Sequence, residues 1–401
     1  MTLSEELVWR GFTSETTITD LSTLDKGPRS YYHGFDPSAD SLQIGNLAAL
    51  MMDKCFNKHG YKPYILVGGA TGMIGDPKDN EERQLKALEE IEHNKACLVK
   101  EFHQILGDDI TVVDNYDWFQ DIKFLPFLRE VGKQFSMTQL LDRQFVKNRI
   151  GEGASGISYA EFSYTLIQGY DFLHLYREYG IDLQLCGADQ FGNCVSGMHL
   201  IKRLEGADVD IYANPLILDP TGRKFGKSEG NAVFLSAKRT SPYDFYQFWL
   251  NLPDEGIENY IKIYTQLMPD EVAEIMGFHA TDPSKRHAQK TLAYEVTSLV
   301  HGKDIADSVV KITTVLFGDN HIEGLSGVEL DLLSAFTPTV EVGINLVDAL
   351  AESGVASSKG EARKLIDGGA VSINGEKVSE DLKLTDPSLI KKGKNKFILV
   401  R

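Results

Sequence analysis

Cysteine is scarce in this 401-residue chain: Cys55, Cys97, Cys186 and Cys194 stand without any C-x-x-C spacing. That argues against a zinc cluster or a disulfide framework and predicts free thiols in a reducing, cytoplasmic setting. Long apolar runs are missing too, and without a stretch of about eighteen such residues no membrane partner or spanning helix is expected. The opening residues, MTLSEELVWRGF, carry early acids and lack the basic-apolar-small order of a secretory signal. No internal repeat or low-complexity tract suggests a solenoid. A basic excess is also lacking: the formal net charge is −17, which speaks against a protein coated in nucleic acid.

What is present is ordinary globular composition, 42% hydrophobic and 25% charged. The length asks for two or three domains rather than one core. Charge is uneven along it. From Gly343 to Arg401 there are ten Lys or Arg against eight Asp or Glu, so this tail is the one segment that does not repel a polyanion.

In the first half, apolar strand-like runs alternate with helical patterns. Strands are expected at Ser30 to Phe35, Pro63 to Val67, Ile110 to Val113 and Asp182 to Cys186. Helices are expected from Leu42, over Glu81 to Leu106, Tyr159 to Tyr179 and Gln190 to Leu204. This alternation predicts an α/β fold, a doubly wound parallel sheet of Rossmann-like type. Ser241 to Gly318 reads as a string of helices, opened by Ser241 as cap and Pro242 at the first helical position. Beyond a linker at 336–342 the pattern is a small α+β unit. There Ser358 and Glu361 form a capping box, and Asn374-Gly375 sits between alternating Val371, Ile373 and Val378 as a hairpin turn. The expected domains are therefore 1–220, 221–335 and 343–401.

Two motifs invite a reading and fail it. VGGATGMIGD (67–76) is glycine-rich after a strand but lacks the G-x-G-x-x-G spacing of a dinucleotide site. GRKFGKS (222–228) is one residue short of a Walker A loop. What survives is a glycine-containing loop carrying two lysines, Lys224 and Lys227, suited to phosphate. The complementary stretch is YHGFDPSADSLQIGNL (32–47). Gly34 opens a turn after a strand, and Gly45 lies in the first helical turn, where a flat ligand can approach the backbone. The helix N-terminus offers N–H groups to phosphate. Gln43 and Asn46, three apart, are expected to share a helix face with their amide donors pointing the same way.

These residues resemble the class I aminoacyl-tRNA synthetases, with QIGN standing where that class carries HIGH and KFGKS where it carries KMSKS. The surrounding text resembles the bacterial-type tyrosine-specific branch: YHGFDPSADSLQIGN, VGGATGMIGDP, NYDWF, FSYTLIQGYDF, LQLCGADQFGN, KFGKS and SPYDFYQFW, in order over nearly the whole chain. The terminal unit resembles the S4-like RNA-binding domain of the same enzymes.

The resemblance implies an enzyme that activates L-tyrosine with ATP and transfers it to the 3′ end of tRNA(Tyr), with Mg²⁺ arriving on ATP and no tightly bound cofactor or resident metal. It implies that Tyr32 and Asp171 hold the phenol and that Asp76, Tyr164 and Gln168 bind the ammonium group. The last three residues of that set on one helix, Tyr164, Gln168 and Asp171, fall at i, i+4 and i+7 and so can share a face. Asp36 and Gln190 are expected near the substrate carboxylate, and Gly187 and Asp189 at the ribose. Gly34, Gly45 and Ser228 join the nucleotide contacts. Gln43, Asn46, Ser38, Lys224 and Lys227 would supply donors to the reacting phosphates, and Lys78 or Arg83 a contact to pyrophosphate. Lys359, Arg363, Lys364 and Lys377 are the expected RNA contacts. A homodimer is implied as well, with an interface segment at about 115–160. Two departures stand out: amides replace both motif histidines, so these ATP contacts do not titrate near neutrality, and Ser38 replaces a threonine. The competing readings are a catalytically degenerate RNA-binding relative and the tryptophan-specific branch.

Overall fold

A computed structural model describes residues 1–77, 84–141, 143–150, 155–228, 231–318 and 321–401, with Gln139, Gln144, Phe145, Lys227, Ser228 and Asn231 described by backbone only. Lys78 and Arg83 lie outside the described residues. The chain forms two compact units, one of residues 1–239 with 253–288, the other of residues 240–252 with 289–401. The helices expected as one stretch at 221–335 are thus shared between them.

The first unit is built on five parallel strands: β1 (Ser30–Phe35), β2 (Lys62–Val67), β3 (Thr111–Asp114), β4 (Leu183–Gly187) and β5 (Asp210–Asn214). Their order is β3-β2-β1-β4-β5, a doubly wound sheet whose order reverses between β1 and β4. β5 is absent from the sequence expectations. The strand residues are largely buried because helices cover both faces, and that is why PYILV runs continuously apolar. Helix α1 (Ile44–Lys58) follows β1, α2 (Tyr159–Tyr179) precedes β4, and α3 (Phe191–Glu205) follows it. The reversal leaves a crevice beyond the carboxyl ends of β1 and β4, where ligands of such sheets bind.

One helix starts later than its pattern suggests. Within the stretch expected from Glu81, residues 84–87 are not helical and the helix runs from Leu88 to Leu106, with Ala87 in extended backbone at its cap. The tempting VGGATG glycines have a packing reason. A Cβ on Gly68 would fall 2.2 Å from Asp36 Oδ1, and one on Gly69 would fall 2.2 Å from Asp114 Oδ1. The first N–H groups of this short helix are spent on Asp114 (3.1 Å) and Asn115 (2.7 Å) rather than kept for a phosphate.

The N-terminal helix (Leu3–Arg10) is tied to the base of α1 through Glu6, which is 1% exposed. Its carboxylate accepts from Arg10 (2.9 Å), Lys58 (3.1 Å) and His59 (2.9 Å). Burial alone would raise its pKa, but the bonds from His59, Arg10 and Lys58 outweigh it and hold the group at about 2. A carboxyl depressed in the folded state stabilises fully above its unfolded value and loses that contribution as pH falls toward the folded one. Wild type should therefore exceed Glu6→Gln by about 2 kcal/mol near neutrality. That gap should close between about pH 4.5 and pH 2, as read from denaturant midpoints. A gap that does not change with pH would remove the charge from the explanation.

The second unit holds helices Pro242–Leu250, Lys303–Phe317 and Gly327–Ser334 with most of His287–His301, followed by a five-stranded sheet. Ser241 caps the first of these, accepting from Asp244 N at 3.1 Å, with Pro242 at its first position. Asn374 and Gly375 both adopt positive φ, 46° and 82°, so the Asn-Gly turn forms as a two-residue hairpin of type I′. Residues 336–342 are more than a connection, since Thr339–Val340 adds a parallel edge strand beside Lys396–Val400. Ser358 caps Lys359–Asp367 as expected, but Glu361 returns its carboxylate to the N–H of Ser357 (2.7 Å), one residue earlier than a capping box requires.

Candidate active site

The crevice at the β1/β4 reversal is a cavity of about 470 Å³. Tyr32 and Asp171 line one end of it. Tyr32 projects from β1 and packs on Phe172 of α2 with ring centroids 5.2 Å apart. Its hydroxyl is buried without a partner among the described residues. Burial first, then the thiol of Cys194 and the charge of Asp171, push that hydroxyl well above its ordinary pKa, so it stays a neutral donor.

Asp171 is held from two sides: Asn115 Nδ2 donates to one carboxylate oxygen at 3.1 Å and Trp118 Nε1 to the other at 3.0 Å. Burial drives its pKa well above the carboxylate range even though these bonds oppose it. The pair therefore presents an unused hydroxyl and a costly buried carboxylate, and a phenol that donates to the carboxylate relieves the cost.

Along the cavity from this end come three acceptor oxygens. The Tyr164 hydroxyl donates to Asp36 (2.9 Å), which leaves its lone pairs free to accept. Gln168 Oε1 is buried without a partner among the described residues, and Asp76 carries a carboxylate. Three such acceptors lining one cavity suit an ammonium group, which has three donors and no acceptor. The two residues expected near the substrate carboxylate carry hydrogen bonds of their own. Gln190 donates to Asp76 (2.9 Å) and accepts from Asn193 (3.2 Å), so its amide orients Asp76. Asp36 accepts the hydroxyl protons of Thr71 (2.7 Å) and Tyr164. A carboxylate committed in this way holds the Tyr164 hydroxyl in place and, as an anion, repels a second carboxylate brought close to it.

At the other end the N-terminus of α1 meets the lysine loop. Gln43 is not on a helix face with Asn46: it is the capping residue in extended backbone, φ −103° and ψ 164°, and Asn46 Oδ1 accepts from its N–H at 3.0 Å. Of the Asn46 side chain, the amide nitrogen remains to donate. A Cβ on Gly45 would meet no protein atom within 4 Å, so the space above it is open cavity. Glu101, from helix Leu88–Leu106, anchors the preceding turn by accepting from Ser41 Oγ and Leu42 N, both at 2.7 Å.

Backbone bonds then tie the two motifs together: Ile44 N donates to Val233 O (3.1 Å) and Leu235 N to Leu42 O (2.9 Å). Phe225 is buried and stacks on Tyr260 with centroids 4.4 Å apart, which seats Lys224 at the cavity wall. Gly34, Ser38, Gly187 and Asp189 line the same space. Lys227 and Ser228 follow in a short strand, Lys227–Ser228 paired with Asn231–Ala232, and their side chains lie outside the described atoms.

Sequence reasoning missed Asn115, Trp118, Glu101 and Asn193. NYDWF contains the first two, yet nothing in its spacing announces that they meet a carboxylate more than fifty residues away. Lys359, Arg363 and Lys364 are exposed on or beside one helix of the second unit and Lys377 on its hairpin, with Lys359 paired to Asp348 at 2.7 Å.

Comparison with known proteins finds relatives over the whole chain. The family described as "tRNA synthetases class I (W and Y)" matches residues 24–318, and a "Tyrosine--tRNA ligase SYY-like C-terminal domain" matches residues 331–401. A tyrosine--tRNA ligase of Streptococcus thermophilus is 41% identical, covering 100% of both chains. One from Porphyromonas gingivalis is 41% identical over 100% of this chain and 99% of the relative. Among solved structures, a C-terminally truncated mitochondrial tyrosyl-tRNA synthetase of Aspergillus nidulans superposes with a TM-score of 0.70 at 28% identity, over 79% of this chain and 94% of that one.

Proposed function

The chain belongs to the class I tRNA synthetases for tryptophan and tyrosine, and on that premise we propose that it ligates L-tyrosine to tRNA(Tyr) through a tyrosyl-adenylate. The observation that carries the choice of amino acid is the unpartnered Tyr32 hydroxyl beside a buried, doubly held Asp171. A site built to bond a phenolic hydroxyl disfavours an indole or a plain phenyl ring, because either leaves those buried groups unpaired.

In the first step the carboxylate of tyrosine attacks the α-phosphorus of ATP; the P–O bond to the β-phosphate breaks and pyrophosphate leaves. No side chain acts as nucleophile. The Asp76, Tyr164 and Gln168 oxygens hold the ammonium group, which directs the carboxylate along the cavity toward the nucleotide. The α1 N-terminus, the Gln43 and Asn46 amides, Ser38 and the two loop lysines supply donors where charge builds on the phosphates. Gly45 leaves room for the flat part of the nucleotide, with Gly187 and Asp189 at its ribose. Mg²⁺ enters as part of the ATP substrate. In the second step a terminal ribose hydroxyl of tRNA attacks the activated carbonyl and AMP leaves.

The tRNA is also met by the basic 343–401 segment through Lys359, Arg363, Lys364 and Lys377, whose exposure supports that reading. The working form is a homodimer in the cytoplasm. Exposed Tyr116, Phe124, Leu125 and Met137 in the 115–160 segment support an interface there.

Exchange of labelled pyrophosphate into ATP tests the reading. It should depend on tyrosine and proceed neither with tryptophan nor with phenylalanine at the same concentration. Exchange with tryptophan would move the chain to the other branch, and exchange with no amino acid would favour an inactive RNA-binding relative.

A further inference from the structure

Asn214 and Gln184 both line the cavity with a buried amide oxygen that has no partner among the described residues, and Asn214 is the one beside the nucleotide end. Asn214 closes β5, is 5% exposed and lines the cavity. Its Nδ2 donates to the carbonyl of Pro215 at 3.2 Å, which fixes the amide, since a flipped amide would set two oxygens against each other. Oδ1 is then left buried without a partner among the described residues. A buried acceptor in that state costs stability unless something donates to it.

The register says which ligand end it faces. Side chains two apart on a strand share a face, so Asn214 lies on the side of Tyr212, whose ring packs on Phe56 of α1 at 5.7 Å. Ile211 and Ala213 face the other way, into the cluster that contains Tyr32. Asn214 is therefore on the α1 side of the sheet, the side of Gly45, and its register partner is Gly187. The next residues, Pro215, Leu216 and Ile217, also line the cavity and give it an apolar wall, with no N–H from the proline. An apolar wall, open space above Gly45 and an unpartnered acceptor on that side of the sheet fit the flat base of the nucleotide and one donor on its edge.

We propose that Asn214 reads the nucleobase: its Oδ1 accepts from the 6-amino group of adenine. Guanine places an oxygen at that position, and two acceptors repel, so the residue selects ATP against GTP. The inference rests on tyrosine activation as the reaction and adds a specificity-determining residue to it.

Its test is tyrosine-dependent pyrophosphate exchange with ATP and with purine riboside triphosphate, which lacks only the 6-amino group, for wild type and Asn214→Ala. Wild type should use ATP about tenfold better than the analogue, as kcat/KM. Asn214→Ala should lose about tenfold with ATP, stay within about twofold with the analogue, and leave KM for tyrosine unchanged. Equal losses with both nucleotides would mean a merely structural asparagine and overturn the proposal. So would a wild type that uses both equally, a result that needs no variant to fold. Absence of exchange with ATP itself would sink the synthetase reading instead, so the two failures are distinguishable.

Discussion

Asp171→Asn should lower kcat/KM for tyrosine in pyrophosphate exchange by roughly a thousandfold while leaving a folded protein. The Asp171 carboxylate accepts from Asn115 and Trp118, and in the proposed complex from the phenol as well. An asparagine has one acceptor oxygen and an NH₂, so at least one of these donors would face another donor. The stability consequence has the opposite sign. Burial raises the Asp171 pKa well above its ordinary value, so the ionised form weakens the fold as pH rises above the unfolded carboxylate pKa. Removing that charge should leave the thermal midpoint at pH 7 to 8 unchanged or higher.

The same direction predicts a pH effect on wild type. KM for tyrosine should rise as pH falls into the range, above that of an ordinary carboxylate, where Asp171 takes up its proton. Phenylalanine gives the sharpest readout. It is a poor substrate for wild type, and in Asp171→Asn the two amino acids should become nearly equal because only tyrosine has lost anything. Tyrosine activation within tenfold of wild type would remove Asp171 from phenol recognition.

Asp171 is visible in the sequence, whereas the groups that hold it are not. Tyr164, Gln168 and Asp171 could be placed together beforehand because helical spacing alone puts them on one face of α2. Asn115 and Trp118 could not, because their partner is brought to them by the packing of α2 against the end of β3, a tertiary event with no local signature. Glu101 reads as one more helix acid until its helix is seen beside the turn before α1, where Ser41 and Leu42 need an acceptor. Counting three residues puts Gln43 and Asn46 on one helix face. Counting cannot tell that the helix starts only at Ile44, which leaves Gln43 outside it and turns Asn46 inward as its cap. Asn214 sits on a strand too polar at both ends, Asp210 and Asn214, to stand out by composition. Patterns of period two and 3.6 thus exposed the sheet, the helices and the residues that ride on single elements. Groups whose role is to orient another residue became visible only once the elements met.

The lysine loop combines both kinds of information and yields the second large effect. Lys224→Ala should reduce kcat for tyrosine activation by roughly a hundred- to a thousandfold, with tyrosine binding nearly intact. Lys224 lines the cavity and makes no ion pair with a described residue, so its charge is free for the phosphates of ATP. Its position comes from its neighbours: Phe225 is stacked on Tyr260, and Gly226 lies so close to α1 that a Cβ there would be 2.4 Å from Ile44 Cγ1. Gly226 also takes a φ of 84°, which an alanine adopts only at a cost. Gly226→Ala should therefore push the loop away from α1 and reproduce much of the rate loss without removing any charge. Lys224→Arg keeps the cation but alters its shape and should recover only part of the rate. If Lys224→Ala instead raised KM for tyrosine and left kcat alone, the cation would belong to the amino-acid end of the cavity. The division of that cavity between Asp171 and the α1 N-terminus would then have to be redrawn.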